Sequence, residues 1–230
     1  MSIRMYDLAG ADPARRFSPY CWRIRMALAH KGLEVETIAW RFMQKDVLAP
    51  SGQGRVPVLV HDDKWVADSW EIACYLEATF PDRPSLFGGG AGQALCRFYS
   101  THGDSLVGAV APFVLTDILE RLDAGDQAYF RESREQRFGR TLEAVVADRE
   151  ARLPAFRDSL ANLRAVLRKQ PFFGGAAPLY ADYAIFGAFQ WARAISPFQL
   201  LDADDPLAQW RDRLLDAFGG LARRAPGYDV

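Results

Sequence analysis

The sequence predicts an α/β unit followed by an all-helical region. Apolar runs and capped amphipathic segments occur before residue 81 in the order strand, helix, strand, strand, strand, helix. A stretch rich in proline and glycine follows, and the segments beyond it have helical spacing. We therefore expect an α/β domain over residues 1–81, a linker over residues 82–92 and an all-helical domain over residues 93–230.

The composition argues against several classes of function. The 230 residues carry a formal net charge of −1 and show no basic stripe with interleaved aromatics, which argues against nucleic acid as a partner. No apolar run is long enough to span a bilayer and no signal-peptide core is seen, so we expect no membrane partner. Cys21, Cys74 and Cys96 are widely spaced and odd in number, which favours the reducing cytoplasm over a disulfide framework.

The first elements form a βαβ pattern. The alternating run at residues 3–8 and the one at residues 33–38 predict two parallel strands with a helix between them. Ser18 opens that helix as a cap, and Pro19 at the first helical position loses no hydrogen bond. A helix start with a hydroxyl and free N–H groups attracts anions, including a thiolate.

The second half of the α/β unit is predicted to be a hairpin and a helix. Two apolar runs, at residues 56–60 and 65–67, flank a polar turn. Pro57 lies inside the first run, where proline is normally confined to an edge or a bend. Asp68 and Glu71 match the acidic form of a capping box and predict the next helix start.

Beyond the linker we expect six helical segments. The first covers residues 93–110 with a break or kink at Pro112, after which residues 113–122 continue it. A long charged helix follows over residues 131–153, with another over residues 154–170. Residues 181–195 are strongly apolar, which predicts the central helix of this domain, and residues 206–218 form the last helix.

Four motifs in this order resemble those of the glutathione transferases: Ser18-Pro19-Tyr20-Cys21-Trp22-Arg23, Arg55-Val56-Pro57-Val58, Asp68-Ser69 and Tyr180-Ala181-Asp182-Tyr183. The resemblance covers nearly the whole chain. Within the family, the chain looks most like the β-etherase-type transferases of lignin-degrading bacteria and their fungal relatives. The resemblance implies a thioredoxin-like N-terminal domain that binds glutathione, a helical domain that supplies a hydrophobic substrate pocket, and a homodimer.

The resemblance also implies catalytic roles at the first helix start. Ser18 is the candidate that stabilises the glutathione thiolate: Ser-Pro by itself favours a capping role alone, and the ordered family motif favours the catalytic role. Tyr20 is the candidate that reaches the second substrate, with packing as the alternative. Cys21 matches a resolving position of glutaredoxins, but we expect it to face inward as a small apolar residue.

The resemblance implies that five further residues bind glutathione. The resemblance places a cis peptide bond at Pro57, which turns the backbone of Val56 toward the cysteinyl part. Arg55 is implied to hold the glycyl carboxylate. Ser69 is implied to bind the γ-glutamyl carboxylate at its helix start, with Asp68 near the ammonium group.

Other features are assigned to structure. The three histidines are isolated, which indicates no metal site. The arginines at 131, 134, 137 and 140 recur every three residues, as on a solvated helix face. Tyr99, Phe113 and Thr116 lie where the family lines its pocket, but core packing explains them equally well. Leu179 replaces the usual serine or threonine cap, at a cost of about 1 kcal/mol.

We therefore expect a cytoplasmic transferase of the detoxification type, which joins glutathione to a hydrophobic, aromatic electrophile. Three alternatives remain open. One is glutathione-dependent cleavage of β-aryl ethers. Another is a thiol–disulfide oxidoreductase, which is disfavoured because position 18 has no thiol. The third is a non-catalytic protein that binds glutathione or another ligand on the same fold.

Overall fold

The computed structural model describes residues 2–230 and begins with a four-stranded mixed sheet of order β2-β1-β3-β4. The strands are β1 (Ile3–Leu8), β2 (Glu36–Trp40), β3 (Val58–His61) and β4 (Lys64–Ala67). β1 pairs in parallel with β2 and antiparallel with β3, and β3 pairs antiparallel with β4. Helix α1 (Pro19–His30) joins the parallel pair, and α2 (Ser69–Thr79) follows β4. The predicted thioredoxin-like unit is confirmed.

The remaining chain is helical, which confirms the second half of the predicted fold class. Its helices are α3 (Gly90–Leu119), α4 (Ala124–Phe138), α5 (Leu142–Val146), α6 (Arg149–Ser159), α7 (Ala161–Leu167), α8 (Tyr180–Ile195) and α9 (Pro206–Gly220). A short 3-10 helix, Lys45–Ser51, lies between β2 and β3. No helix in residues 2–230 combines the length and apolar character needed to cross a membrane.

The prediction of one long charged helix over residues 131–153 is wrong. Gly139 adopts a φ of 65°, a left-handed conformation that ends α4. Thr141 then caps α5 by accepting a hydrogen bond from the Ala144 N–H at 3.2 Å. Pro154 lies inside α6 and does not begin a helix. Conversely, α3 continues through Pro112, so the two segments predicted around that proline form one helix.

Helix α8 is the centre of the helical region, and all 16 of its residues are buried. Two glycines allow neighbouring helices to approach it closely. A Cβ atom at Gly187 of α8 would lie 2.3 Å from the Pro19 carbonyl oxygen of α1. A Cβ atom at Gly103 of α3 would lie 2.5 Å from the Ala184 carbonyl oxygen of α8. The three helices therefore pack backbone against backbone.

The start of α8 depends on Asp182. Its carboxylate accepts hydrogen bonds from the N–H groups of Phe173 at 2.7 Å, Gly174 at 2.9 Å and Leu179 at 3.0 Å. It also accepts one from Trp210 Nε1 at 2.9 Å. Leu179 has no side-chain acceptor, so the start of α8 lacks one half of the capping box, as the sequence predicts. The buried network around Asp182 compensates for it.

The close contact between α1 and α8 predicts a large effect of one added methyl group. Gly187→Ala should lower the free energy of unfolding by about 1–3 kcal/mol, because the new Cβ meets a backbone oxygen that cannot move freely. The matched control is Gly108→Ala in α3, where a Cβ meets no atom within 4 Å. Alanine there should stabilise the protein by up to about 1 kcal/mol through helix propensity. Denaturant unfolding measures both, and equal stabilities would contradict the tight contact.

Candidate functional site

A cavity of about 490 Å³ is formed jointly by the α/β unit and the helical region. Helix α3 supplies its apolar wall through Val107, Ala111, Leu115 and Ile118, which recur every three or four residues. The α/β unit contributes Trp40 and the loop before α1. Apolar walls with a few placed polar groups are typical of sites for small molecules.

Ser18 lies in the wall of this cavity at the start of α1. Its side chain is only 3% exposed, and Oγ accepts a hydrogen bond from the Cys21 N–H at 3.2 Å. The serine is therefore the helix cap that the sequence predicted. Because capping uses Oγ as an acceptor, its hydroxyl proton remains available to a ligand in the cavity.

The neighbours of Ser18 have different surroundings. Cys21 is fully buried, and burial raises the pKa of its thiol well above the usual range, so this cysteine stays protonated. Tyr20 lines the cavity and is half-buried, and burial raises the pKa of its hydroxyl. The guanidinium carbon of Arg23 lies 4.7 Å from the centroid of the Tyr20 ring. Tyr20 is thus placed as a hydrogen-bond donor.

The segment before β3 forms another part of the wall. The peptide bond between Val56 and Pro57 is cis. Val56 lines the cavity, and its backbone N–H and C=O make no hydrogen bond with any other described residue. Arg55 also lines the cavity and is exposed. Backbone groups without partners at a cavity wall are available to a peptide-like ligand.

Asp68 and Ser69 lie at the start of α2 and are outside this lining. The Asp68 carboxylate accepts hydrogen bonds from the N–H groups of Trp70 at 2.8 Å and Glu71 at 3.2 Å, which makes it the helix cap. Ser69 is buried, and its carbonyl accepts a hydrogen bond from the Tyr180 hydroxyl at 2.9 Å. Its own N–H and hydroxyl have no partner among residues 2–230. These two donors remain open to a carboxylate.

The assignment of all four arginines around α4 to a solvated face is wrong. Arg131 does form surface ion pairs, with Glu135 at 2.9 Å and Glu143 at 2.8 Å. Arg134 instead is half-buried and lines the cavity, and Arg137 lines the cavity while its side chain is exposed. Successive positions three residues apart on a helix rotate by about 60°, so this spacing does not keep side chains on one face.

Helix α4 is joined to the loop after β2 by contacts that sequence reasoning missed. The Asp126 carboxylate accepts hydrogen bonds from the N–H groups of Phe42 at 2.9 Å and Met43 at 3.1 Å. The Lys45 ammonium lies 4.4 Å from the centroid of the Tyr129 ring. Phe42, Lys45 and Tyr129 all line the cavity, so this junction closes one side of it. An acidic residue in the first turn of α4 was the available signal, but its usual meaning is helix capping.

The three residues that the resemblance placed at the pocket lie outside the cavity lining. Phe113 packs against the rings of Phe156 at 5.1 Å and Phe198 at 5.8 Å between centroids. Tyr99 packs against Phe173 at 4.9 Å. Core packing is therefore the account that the structure supports for both aromatics, and Thr116 also lies outside the lining.

Two of the three histidines form hydrogen bonds with tyrosine hydroxyls. His30 Nδ1 lies 2.6 Å from the Tyr183 hydroxyl, and His61 Nδ1 lies 2.7 Å from the Tyr75 hydroxyl. In the part of the chain that the structure describes, no three His, Cys, Asp or Glu side chains converge as metal ligands.

Comparison with known families matches two models. The model for the glutathione S-transferase C-terminal domain matches residues 94–216, more than half of the chain. The model for the glutathione S-transferase N-terminal domain matches residues 17–79.

Among curated proteins, the chain is similar to the glutathione S-transferase-like protein ustS of Aspergillus flavus. The two are 25% identical over 83% of this chain and 80% of the relative. It is also 43% identical to glutathione S-transferase 1 of Dianthus caryophyllus, over 30% of this chain and 34% of the relative. The chain therefore spans about a third of that plant relative's length in the match.

Two solved fungal structures are similar over nearly the whole chain. A glutathione S-transferase of Ceriporiopsis subvermispora, solved in complex with glutathione, aligns with a TM-score of 0.83 and 25% identity over 95% of this chain and 97% of that one. The transferase GSTFuA3 of Phanerochaete chrysosporium aligns with a TM-score of 0.83 and 25% identity over 93% and 96%.

The junction at Asp126 predicts which loop loosens when it is removed. Asp126→Ala leaves the Phe42 and Met43 amides without their charged acceptor, so their hydrogen exchange should accelerate by roughly 10-fold or more. Asp46→Ala, an exposed carboxylate in the 3-10 helix, is the control and should leave this exchange unchanged. Hydrogen–deuterium exchange with mass spectrometry measures both. Equal exchange in wild type and Asp126→Ala would show that the carboxylate does not hold the loop.

Proposed function

This chain belongs to the glutathione S-transferase family, and we propose that it joins glutathione to a hydrophobic, aromatic electrophile in the cavity between its sheet and its helices. The observation that carries this proposal is the position of Ser18. Its hydroxyl caps α1 through its oxygen, lies in the cavity wall and retains a proton for a ligand.

The proposed chemistry is attack by the glutathione thiolate. The hydroxyl of Ser18 donates a hydrogen bond to the sulfur, and the N-terminus of α1 adds a positive dipole. Both favour the thiolate over the thiol and so lower the pKa of glutathione in the site. The sulfur then forms a bond to the electrophilic carbon while the leaving group departs into the cavity.

Glutathione itself is proposed to bind through groups of the α/β unit. The unpaired backbone of Val56 suits the cysteinyl part, and the guanidinium of Arg55 suits the glycyl carboxylate. The unpaired N–H and hydroxyl of Ser69 suit the γ-glutamyl carboxylate, and Asp68 is proposed to lie near the ammonium group. The cis bond at Pro57 is proposed to turn the Val56 backbone toward the cysteinyl part. The Ceriporiopsis subvermispora relative, which was solved with glutathione, supports this choice of ligand.

The domain limits, the homodimer and the cytoplasmic location remain proposals. The proposed division is residues 1–81, 82–92 and 93–230. The end of α2 at Thr79 supports the first limit, whereas α3 already begins at Gly90, inside the proposed linker. Phe98 and Leu95, which are 66% and 44% exposed on α3, provide apolar surface for a second copy of the chain.

Cleavage of β-aryl ethers is the second candidate function, and Tyr20 is the observation that favours it. Tyr20 lines the cavity, and the raised pKa of its hydroxyl keeps it protonated, so it is suited to donate a proton to a departing aryloxide. The test substrate is an aryl ether with an adjacent carbonyl. If mass spectrometry detects both the released phenol and the glutathione adduct, the protein cleaves the ether; an adduct with an aryl halide but no phenol from any aryl ether indicates a transferase without this activity.

Thiol–disulfide exchange is less well supported. Position 18 holds a hydroxyl, and the nearest thiol, Cys21, is buried with a raised pKa. A non-catalytic ligand-binding role predicts glutathione binding without turnover of any electrophile.

Glutathione is expected to stabilise the folded protein. At a concentration 100 times its dissociation constant it should add roughly 2.7 kcal/mol to the free energy of unfolding. Ser69→Ala should weaken this stabilisation because two unpaired donors are proposed to hold one carboxylate. Ser105→Ala, on exposed α3 surface, is the matched control. Thermal denaturation across a glutathione titration tests this, and a midpoint that does not rise would contradict the proposal.

Replacing Ser18 should impair catalysis more than binding. Ser18→Ala removes the donor to the thiolate and should lower turnover by about 10²-fold near neutral pH. Since the thiolate loses stabilisation, the apparent pKa of bound glutathione should rise, and the deficit should shrink as the pH exceeds that pKa.

The measurement is a pH–rate profile of Ser18→Ala with glutathione affinity determined in parallel. Loss of the helix cap should also lower stability by about 1 kcal/mol, so assays belong well below the unfolding temperature. An unchanged profile would leave Ser18 with a capping role alone.

A further inference from the structure

Helix α4 presents to the cavity a face that combines aromatic and cationic side chains. Phe130, Ser133, Arg134, Arg137 and Phe138 follow the i, i+3, i+4, i+7, i+8 pattern of one side of a helix, and Tyr129 of α4 also lines the cavity. A helix that walls an apolar cavity ordinarily places apolar residues on that side. The two arginines therefore require an explanation beyond packing.

Arg134 is half-buried against aromatic rings. Its guanidinium carbon lies 4.8 Å from the centroid of Phe130 and 5.7 Å from that of Phe42. Its side chain donates one hydrogen bond, to Ser133 Oγ at 3.1 Å. Stacking satisfies the flat faces of a guanidinium, and the remaining N–H donors in its plane are available to a ligand.

No carboxylate of the described residues forms an ion pair with Arg134. The contrast with Arg131, three residues earlier on the same helix, is direct, because Arg131 is paired with Glu135 and Glu143. Burial lowers the pKa of Arg134, and the positive charges of Arg137 and Arg55 lower it further, yet an arginine stays charged at physiological pH. This cation is consequently partly desolvated without a counter-charge.

The side chains that line the cavity carry a net positive charge. Four lining side chains are cationic: Lys45, Arg55, Arg134 and Arg137. The lining holds a single carboxylate, Asp104, and it is already paired with Arg23 at 2.8 Å. An apolar cavity with unpaired cations at its wall is complementary to a ligand that is apolar and anionic.

We propose that Arg134, assisted by Arg137, binds a carboxylate on the electrophile, so that the substrate class is an aromatic electrophile bearing an acid group. This inference rests on the proposed function, because it names the substrate of the same cavity. Arg134 touches the aromatic rings that would pack on the substrate ring, whereas Arg55 adjoins the segment proposed to hold glutathione. A planar guanidinium accepts a carboxylate through two parallel hydrogen bonds.

Glutathione also carries carboxylates, so the test must distinguish the two sources. The reactive pair is 4-chloro-3-nitrobenzoate and 4-chloro-3-nitrobenzamide. In both, the glutathione sulfur bonds to the ring carbon that carries chlorine, chloride leaves with the bonding electrons, and the thiol proton passes to solvent. The two compounds differ in intrinsic reactivity, so the quantity compared is the ratio of kcat/KM between variant and wild type for each compound.

Arg134→Gln should lower kcat/KM for the acid by roughly 10- to 100-fold while leaving that for the amide nearly unchanged. Arg134→Lys keeps the charge and should retain part of the preference for the acid. Arg131→Gln removes the same charge from the outer side of α4 and is the control, which should alter neither compound. Thermal unfolding of each variant verifies that the fold is intact.

Binding of an unreactive pair, 4-methyl-3-nitrobenzoate and 4-methyl-3-nitrobenzamide, is measured by calorimetry and requires no turnover. Preferential binding of the acid that Arg134→Gln abolishes supports the proposal, even if glutathione fails to stabilise the protein and the proposed function falls. Equal binding of acid and amide to wild type overturns it. A raised dissociation constant for glutathione in Arg134→Gln, with an unchanged acid-to-amide ratio, also overturns it by assigning the arginine to glutathione.

Discussion

The candidate site depends on the close packing of α1 and α3 against α8. Gly187 allows the Pro19 carbonyl to approach the backbone of α8, and Pro19 directly follows Ser18. The contact that fixes the first turn of α1 therefore also fixes the hydroxyl at its start. Arg23 fills the remaining space between these helices and pairs with Asp104 of α3 at 2.8 Å. The position of the serine is thus set by backbone packing, which is less free to adjust than side-chain packing.

The opposite side of the cavity is set by a different kind of contact. There a carboxylate of α4, Asp126, accepts hydrogen bonds from two successive backbone amides of the loop after β2. Phe42, on that loop, then lies against aromatic residues of α4 at centroid distances of 5.8 and 6.0 Å. One wall of the cavity is therefore held by close helix packing, and the other by a polar junction through the buried carboxylate of Asp126. The second wall is the one we expect to adjust to substrates of different size.

The same charges serve two parts of the proposed chemistry. Cations in the lining stabilise an acid group on the substrate, and their field also favours the anionic form of a thiol bound near Ser18. Arginine is suited to this double role because its guanidinium stays charged while it stacks on aromatic rings, as Arg134 does on Phe130. Cys21, buried in the first turn of α1, retains its proton, so the proposed nucleophile is the thiol of glutathione and not this cysteine.

Local chemistry in the sequence was sufficient to predict the element order of residues 1–81, the caps at Ser18 and Asp68, and the buried helix α8, because each depends on neighbours a few residues away. The sequence did not predict the ends of α4, where the left-handed Gly139 interrupts a run of charged residues. Nor did it place Arg134, since a spacing of three residues rotates around a helix and does not identify the side that faces a cavity. The partners of Asp126 lie more than 80 residues away in the chain. Only the tertiary structure decides such contacts. They form when packing brings together segments that are far apart in the chain, and local sequence patterns do not specify the distance between such segments.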